Sequence, residues 1–209
     1  QKARLVSGSG VNLKRHAFEH YPEGEKIRFL YVGRMMREKG IEELLEAALQ
    51  LSSQTVSFEL LGYPDEDYQE RLDAFEKKGA IKQLGFHPDV HEYIKNASAL
   101  VLPTYHEGMS NVLMEASATG RPVIATNISG CREIFEEGVT GFGCKPADSG
   151  DLARALSKFT ELSAGKRAEM GKAARLKMER EFDREKVADA YMEEIERCLG
   201  KGGRRDEFV

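Results

Sequence analysis

Two carboxylates, Glu107 and Glu115, flank a short glycine-containing loop and could do chemistry. A pair of carboxylates can cleave a glycosidic bond, but that mechanism needs an acid and a base on opposite sides of a sugar. Here one carboxylate lies in the loop and the other within the helix predicted to follow it. An ionised carboxylate only accepts hydrogen bonds, and vicinal hydroxyls offer two donors. The spacing therefore favours binding of ligand hydroxyls over hydrolysis.

Glu115 stands in a segment that is apolar on nearly every side, with Val112, Leu113, Met114 and Ala116 around it. The alternative is an ordinary glutamate on a helix surface. A charged group among apolar neighbours needs a partner, because burying it alone is unfavourable. We therefore expect a buried partner or a ligand close to Glu115.

Two cations, Arg34 and Lys39, follow the first predicted strand. Ligands of open α/β sheets bind at the carboxyl ends of the strands. An arginine fork and a lysine point charge at that edge could clamp a diphosphate. Two solvated surface charges are the alternative, since 32% of the chain is charged, and spacing alone leaves both interpretations open.

One predicted βαβ unit positions the carboxylates. An apolar run over 98–103 suits a buried strand, a helix is predicted over about 110–119, and a second strand over 123–126 follows the breaker Gly120-Arg121-Pro122. The loop and the start of this helix present free backbone N–H groups. Such groups bind phosphate in α/β proteins.

Strands and helices alternate through the first 146 residues, which predicts an α/β fold with a Rossmann-like, doubly wound parallel sheet flanked by helices. The other predicted strands are 26–33, 56–61, 80–86 and 141–146. The other predicted helices are an amphipathic one burying Ile41, Leu44, Leu45, Ala48 and Leu49, one over 65–78, one around 90–97, a short one over 131–137, and helices from 148 onward with breaks near 165 and 183.

Composition limits the function classes. With 209 residues and 41% hydrophobic residues, the chain can form one domain with its own core. We expect a single domain over 1–209, with an irregular lead-in over 1–25, helices over 148–199 and a mobile tail over 200–209. The net charge of −4 argues against nucleic acid as a partner. The start at Gln1 suggests a piece of a longer protein.

Metal and nucleotide-hydrolase motifs are weak or absent. Three dispersed cysteines without a CxxC pair predict neither a disulfide framework nor a zinc site. Asp65-Glu66-Asp67 resembles a metal-binding DxD, but acidic residues are also favoured at the start of a helix. His16 and His20 stand one helical turn apart in a polar segment without a third ligand, so we expect surface histidines. No GxxxxGK[ST] motif occurs.

Three blocks, in order, make the chain recognisable: VGRMMREKGIEELLEA, LGFHPDVHEYIKNASALVLPTYHEGMSNVLMEASATGRPVIATNISGCREI and EEGVTGF. Together they resemble the group 1 (family 4) retaining glycosyltransferases. The resemblance runs over about residues 8–163. It implies the C-terminal, donor-binding half of a two-domain GT-B enzyme.

The resemblance also implies roles for particular residues. Arg34 and Lys39 resemble the pair that grips the donor diphosphate, and Glu107 and Glu115 resemble the two ends of an E-x7-E motif, the first near the donor sugar and the second on the ribose. Arg34, Lys39 and Glu107 are the catalytic candidates. The full predicted donor-binding set is Gly33, Arg34, Lys39, Gly62, Phe86, His87, Glu107, Gly108, Met109, Ser110, Asn111, Val112 and Glu115.

Further expectations follow from the family. The donor is a nucleotide-diphosphate sugar, a UDP-sugar by our prediction, bound without metal or cofactor. The acceptor is a glycan or a lipid-linked glycan, held by an N-terminal domain that this sequence lacks. The isolated chain should therefore bind donor weakly and not turn over. We expect a cytoplasmic enzyme, with peripheral contact to the inner membrane face as an option for the full-length protein.

Two other functions stay open at this point. A nucleotide-sugar epimerase shares the GT-B architecture and the diphosphate grip, but acts on a single substrate. A non-catalytic nucleotide-sugar-binding module could use the same fold, because fold does not fix function.

Overall fold

Six parallel strands form one sheet in the order β3-β2-β1-β4-β5-β6 in the computed structural model, which describes residues 8–65 and 68–199. This is the strand order of a doubly wound Rossmann sheet, so the predicted fold class is confirmed. The strands are β1 (Ile27–Val32), β2 (Val56–Leu61), β3 (Lys82–Gly85), β4 (Ala99–Leu102), β5 (Val123–Thr126) and β6 (Gly141–Cys144).

Helices connect the strands and continue after the last one. They are α1 (Ile41–Leu51), α2 (Gln69–Lys77), α3 (His91–Asn96), α4 (Asn111–Ala118), α5 (Ser149–Glu161), α6 (Ala164–Glu181) and α7 (Arg184–Leu199), and a single 3₁₀ turn, Arg37–Lys39, precedes α1. In the described part of the chain, no helix is long and apolar enough to cross a membrane.

The core lies on both faces of the sheet. Every residue of β4 and β5 is buried, as expected for parallel strands covered by helices on both sides. Phe29 on β1 stacks on Phe58 of β2 with ring centroids 5.0 Å apart, and Phe159 of α5 packs against Phe29 at 5.7 Å. These aromatic contacts fix α5 against the middle of the sheet.

The chain reverses its direction of winding beside β1, which pairs with β2 on one side and with β4 on the other. Crossovers on the two sides of this point run in opposite directions, so β1 and β4 flank the switch point of the sheet. Ligands of doubly wound sheets bind outside the carboxyl ends of the strands at such a point. The predicted cations follow β1 and the predicted loop follows β4, so both lie at this edge.

The described part of the lead-in, residues 8–25, is irregular but packs on the domain. Val11 forms a parallel bridge with Asp183 ahead of α7. Arg121, which is fully buried, donates to the carbonyl oxygens of Glu19 and His20. Arg175 of α6 donates to the carbonyl of His16 at 2.9 Å. Side chains from two distant elements therefore hold this segment in place.

Two sequence predictions were wrong. Leu49 is 49% exposed rather than part of the buried face of α1, since that face centres on Leu45 and Ala48. Residues 131–137 form turns instead of a helix. Ile134 N–H bonds the carbonyl of Cys131 three residues back, and the hydroxyl of Thr140 takes the N–H of Glu136, so local bonds replace the helical ladder.

Other boundaries moved by a few residues. The helix predicted from 65 begins at Gln69, while Glu66 and Asp67 of the DxD-like triplet lie outside the described residues, as does the predicted mobile tail over 200–209. The predicted break near 165 occurs at Leu162 and Ser163, because the Ser163 side chain accepts from the Lys166 N–H and caps α6.

Candidate functional site

The loops that follow β1 and β4 are bonded to each other at the carboxyl edge of the sheet. The carbonyl of Glu38 accepts from the Tyr105 N–H at 2.8 Å and from the Thr104 hydroxyl at 3.2 Å. Thr126, at the end of β5, donates to the carbonyl of Thr104 at 2.5 Å. These bonds bring the residue after Glu38 close to the residues after Tyr105.

Lys39 and Glu107 meet as an ion pair, with Nζ 2.6 Å from Oε1. Both side chains are mostly buried, 30% and 18% exposed, so solvent screens the pair less than it would a surface pair. The charge of Glu107 reaches its neighbours. Burial, with a smaller contribution from Glu107, raises the pKa of the Cys131 thiol to about 12 and raises the pKa of Tyr31 as well.

A turn after β5 supports the Glu107 loop from behind. Gly130 has φ of 88°, and a Cβ there would lie 2.5 Å from the carbonyl oxygen of Glu107. Its carbonyl accepts the Ser110 N–H at 3.0 Å, and its N–H donates to Glu133 Oε2 at 2.8 Å. Only glycine permits this approach of the two backbones.

Helix α4 begins directly after this loop. Ser110 is its N-cap residue, but its side chain makes no capping hydrogen bond, and its own N–H is taken by Gly130. The N–H groups available to a ligand therefore begin at Asn111 and Val112, in the first helical turn. Asn111 is exposed, Gly108 is exposed and Met109 is half-buried. An anion at this helix end would meet unpaired donors and the positive end of the helix dipole.

A cavity of about 140 Å³ lies at the ends of β1 and β2, and its lining includes Arg34, Gly33, Gly62 and His87. Glycine at position 62 lets the chain after β2 approach the chain after β1. Gly62 has φ of 143°, and a Cβ on it would lie 2.0 Å from the carbonyl oxygen of Gly33.

Two exposed aromatic rings also line this cavity. Phe86 is 65% exposed, Tyr63 is 54% exposed, and their ring centroids are 6.1 Å apart. Large aromatic rings left in solvent beside an apolar cavity offer a surface on which a flat ring can stack.

Glu115 faces the interior, as its apolar neighbourhood predicted. Its Oε1 lies 3.7 Å from Nε2 of His16. Burial raises the pKa of Glu115, and the positive charges of Arg15 and Arg184 oppose that rise. The expectation of a surface histidine at position 16 was wrong, because its ring is 6% exposed.

The predicted site residues fall into three neighbouring groups. Lys39 and Glu107 form the ion pair beside the start of α4. Arg34 is exposed and joins the cavity with the glycines and aromatic residues instead. Glu115 lies one turn along α4, against the lead-in.

Sequence reasoning missed Gly130, Tyr63 and the buried His16. A glycine just after a predicted strand was a usable signal for Gly130, and so was the Gly-Tyr-Pro turn for Tyr63. His16 carried none, since it stands between Arg15 and Ala17 with no clear apolar periodicity. In the described ranges, no cluster of three or more His, Cys, Asp or Glu side chains could hold a metal ion, and the three cysteines are free.

The chain matches the family model described as "Glycosyl transferases group 1" over residues 14–177. Over 173 residues it is 29% identical to the N,N'-diacetylbacillosaminyl-diphospho-undecaprenol alpha-1,3-N-acetylgalactosaminyltransferase of Campylobacter jejuni, covering 77% of this chain and 46% of the relative. It is 31% identical to the glycogen synthase of Mycobacterium tuberculosis over 195 residues, covering 88% and 46%.

A solved structure shares the architecture. Sucrose-phosphate synthase from Thermosynechococcus elongatus superposes with a TM-score of 0.76 at 27% identity, covering 91% of this chain and 51% of that one. The chain thus spans about half the length of the curated relatives and of the solved structure that it matches.

Proposed function

This chain belongs to the group 1 glycosyl transferases, and from that premise we propose that it is the donor-binding half of an enzyme that transfers a hexose from a nucleotide-diphosphate sugar. One observation carries the proposal. The Lys39–Glu107 ion pair stands beside the uncapped start of α4, at the edge of the sheet where the winding reverses. That arrangement suits a ligand with both hydroxyls and a diphosphate.

The diphosphate would lie over the start of α4, within reach of Lys39 and Arg34. Negative charge builds on the diphosphate as the glycosidic bond breaks, and positive groups fixed in advance stabilise that charge in the transition state. Glu107 holds Lys39 in place at 2.6 Å, and its carboxylate would accept a hydroxyl of the donor sugar. These charges allow binding without a metal ion, which is part of the proposal.

The base would occupy the cavity beside Arg34, with Tyr63 and Phe86 at its side. At about 140 Å³ this space is smaller than the roughly 300–1,000 Å³ of typical ligand pockets, so it admits one part of a ligand. The size favours the single ring of uracil over a purine. Glu115 would accept the ribose hydroxyls, since it lies on α4 about one turn from the helix start, over which the diphosphate would lie.

The rest of the reaction belongs to the whole enzyme. We propose that a second domain, outside these 209 residues, carries the acceptor and closes the cleft, and that transfer retains the anomeric configuration. The half-length match to the curated relatives supports this division. The acceptor would be a glycan or a lipid-linked glycan, and a lipid-linked one would place the enzyme in the cytoplasm at the inner membrane face. The name of the Campylobacter relative includes an undecaprenol-linked diphosphate, which favours a lipid-linked acceptor.

A thermal-shift panel on the 209-residue chain tests the proposal. UDP, GDP, ADP and their sugars are added with and without EDTA, since a ligand raises Tm only if it binds the native state. We expect UDP and UDP-sugars to raise Tm equally in both buffers, and no sugar transfer by the chain alone. A rise only with purine nucleotides would refute the choice of base, and dependence on metal would refute metal-free binding. No rise with any nucleotide, or rapid transfer by this chain, would overturn the division of labour.

A further inference from the structure

His16 stands behind the carboxylate of Glu115. The ring is 6% exposed, while the Glu115 side chain is 29% exposed, and Nε2 of His16 lies 3.7 Å from Oε1 of Glu115. The carboxylate therefore lies between a buried imidazole and the surface from which a ligand would approach. Of its two oxygens, Oε1 is the one on the histidine side.

Hydrogen bonds hold the backbone of His16 on both sides. Its backbone N–H donates to the Asn12 carbonyl at 2.9 Å, and its backbone carbonyl accepts from Arg175 Nη1 at 2.9 Å. The ring of His91 meets it edge-on, with centroids 5.8 Å apart. The backbone of His16 is therefore held on both sides, and its ring packs against a second ring.

The proton on His16 can be placed from its contacts. Nδ1 is buried and has no hydrogen-bond partner, and the same holds for Nδ1 of His91. A buried N–H without an acceptor is rarer than a buried acceptor without a donor. A neutral imidazole here therefore carries its proton on Nε2, which is the nitrogen that faces Glu115.

We propose that His16 is a positioning residue for Glu115: its Nε2–H attracts one carboxylate oxygen, which lies 3.7 Å away and so beyond a direct hydrogen bond, and leaves the other oxygen to accept the ribose hydroxyls of a nucleotide. The inference rests on the proposed function, because it assigns a support to the ribose-binding carboxylate. The histidine does not itself touch the ligand.

The charges around His16 keep the imidazole neutral. Burial lowers the pKa of His16 to about 4, and the neighbouring His91, Arg15 and Arg184 act in the same direction, while Asp89 opposes them. A neutral donor supports the carboxylate without neutralising it.

Burial makes the ionised form of Glu115 less favourable. It raises the pKa of Glu115, and the positive charges of Arg15 and Arg184 oppose that rise. The second ring, His91, has an acidic neighbour of its own, with Nε2 3.9 Å from Glu19. A donor that favours the ionised form is therefore useful to Glu115, since desolvation disfavours that form.

Calorimetric titration of UDP into the 209-residue chain at pH 8, 7 and 6 tests the inference. Each variant is compared with wild type at the same pH, because the terminal phosphate of UDP itself gains a proton at about pH 6 and lowers the affinity of every variant alike. His16→Phe should bind about tenfold more weakly at pH 7 and lose more affinity towards pH 6, because Glu115 without its donor is protonated at a higher pH. His16→Gln keeps a donor and should stay within about threefold. The exposed His20→Phe is the matched control and should not change the affinity.

A double-mutant cycle separates positioning from general damage. In the Glu115→Gln background, His16→Phe should have no further effect on the affinity for UDP. An equal loss in both backgrounds, or a pH profile unchanged by His16→Phe, would overturn the inference.

A measurement without ligand keeps the inference independent of the proposed function. NMR titration of the Glu115 carboxyl carbon should show a higher pKa in His16→Phe than in wild type. An equal pKa in the two proteins refutes the positioning role. If the wild type binds no nucleotide, the proposed function fails, and this titration still decides whether His16 supports Glu115.

Discussion

Arg121 and Arg34 show two ways in which this fold uses an arginine. Arg121 is fully buried and donates to the carbonyls of Lys95, Glu19, Gly120 and His20 over 2.7–3.3 Å. Arg34 is exposed beside the small cavity at the carboxyl edge.

Under the proposed function, the difference separates a structural charge from one that binds a ligand. A buried arginine tolerates desolvation only when carbonyls satisfy its donors, and burial still lowers the pKa of Arg121 to about 10. A charge intended for a ligand must keep its donors accessible. The first kind of residue should affect unfolding and the second binding.

The largest effect should come from Arg121→Leu. The substitution leaves the carbonyls of Glu19, His20 and Lys95 without their donor, so we expect the free energy of unfolding to fall by about 3 kcal/mol. Urea denaturation measures it through the midpoint at constant slope. Arg154→Leu on the surface is the control, since the Arg154 side chain is 65% exposed, and should stay within about 0.5 kcal/mol. Equal effects of the two variants would remove the structural role of Arg121.

Arg34→Ala should reverse this pattern. Loss of one charge-assisted contact is expected to weaken UDP binding by about 1.5–3 kcal/mol, while the urea midpoint stays unchanged because the side chain is exposed. Calorimetry measures the affinity. Arg37→Ala, an exposed arginine of the same connection, is the matched control. If Arg37→Ala weakens binding as much as Arg34→Ala, the effect is one of general charge and the comparison fails.

The smallest effect should come from protonation of His16, a buried base whose Nδ1 has no hydrogen-bond partner. The pKa of His16 falls from 6.5 to about 4 on folding, so the unfolded chain binds a proton that the folded chain refuses. His16 therefore contributes stability above pH 6.5 that is lost as the pH falls from 6.5 to about 4. Between pH 7 and 4.5, wild type should lose about 2 kcal/mol more than His16→Gln in urea denaturation. Parallel losses in the two proteins would contradict a depressed pKa.

The periodic parts of the fold could be predicted from sequence. The alternation of apolar strands with amphipathic helices gave the sheet, and the position of Lys39 and Glu107 after two strands put both at one edge. Their direct contact could not be predicted, because it depends on the Glu38 carbonyl, in the loop after β1, accepting hydrogen bonds from Thr104 and Tyr105 in the loop after β4.

The failures have physical causes that a local pattern does not contain. Residues 131–137 have helix-compatible spacing, but Gly130 and the Thr140 hydroxyl supply bonds that favour turns. His16 follows two cationic residues in the sequence, yet Arg175 bonds its carbonyl and the ring of His91 packs on its ring, and both are distant in sequence. Burial of single polar residues is decided by such tertiary contacts.

The single carbonyl of Glu38, shared by two loops, has a consequence for ligand affinity. Because the loop after β1 and the loop after β4 are already joined through it and through Thr126, neither has to be ordered when a ligand arrives. Conformational entropy that flexible loops would lose on association has been lost during folding instead. For the binding proposed at Lys39 and α4, this edge of the sheet is therefore preorganised, and most of the favourable contact energy would remain available for association.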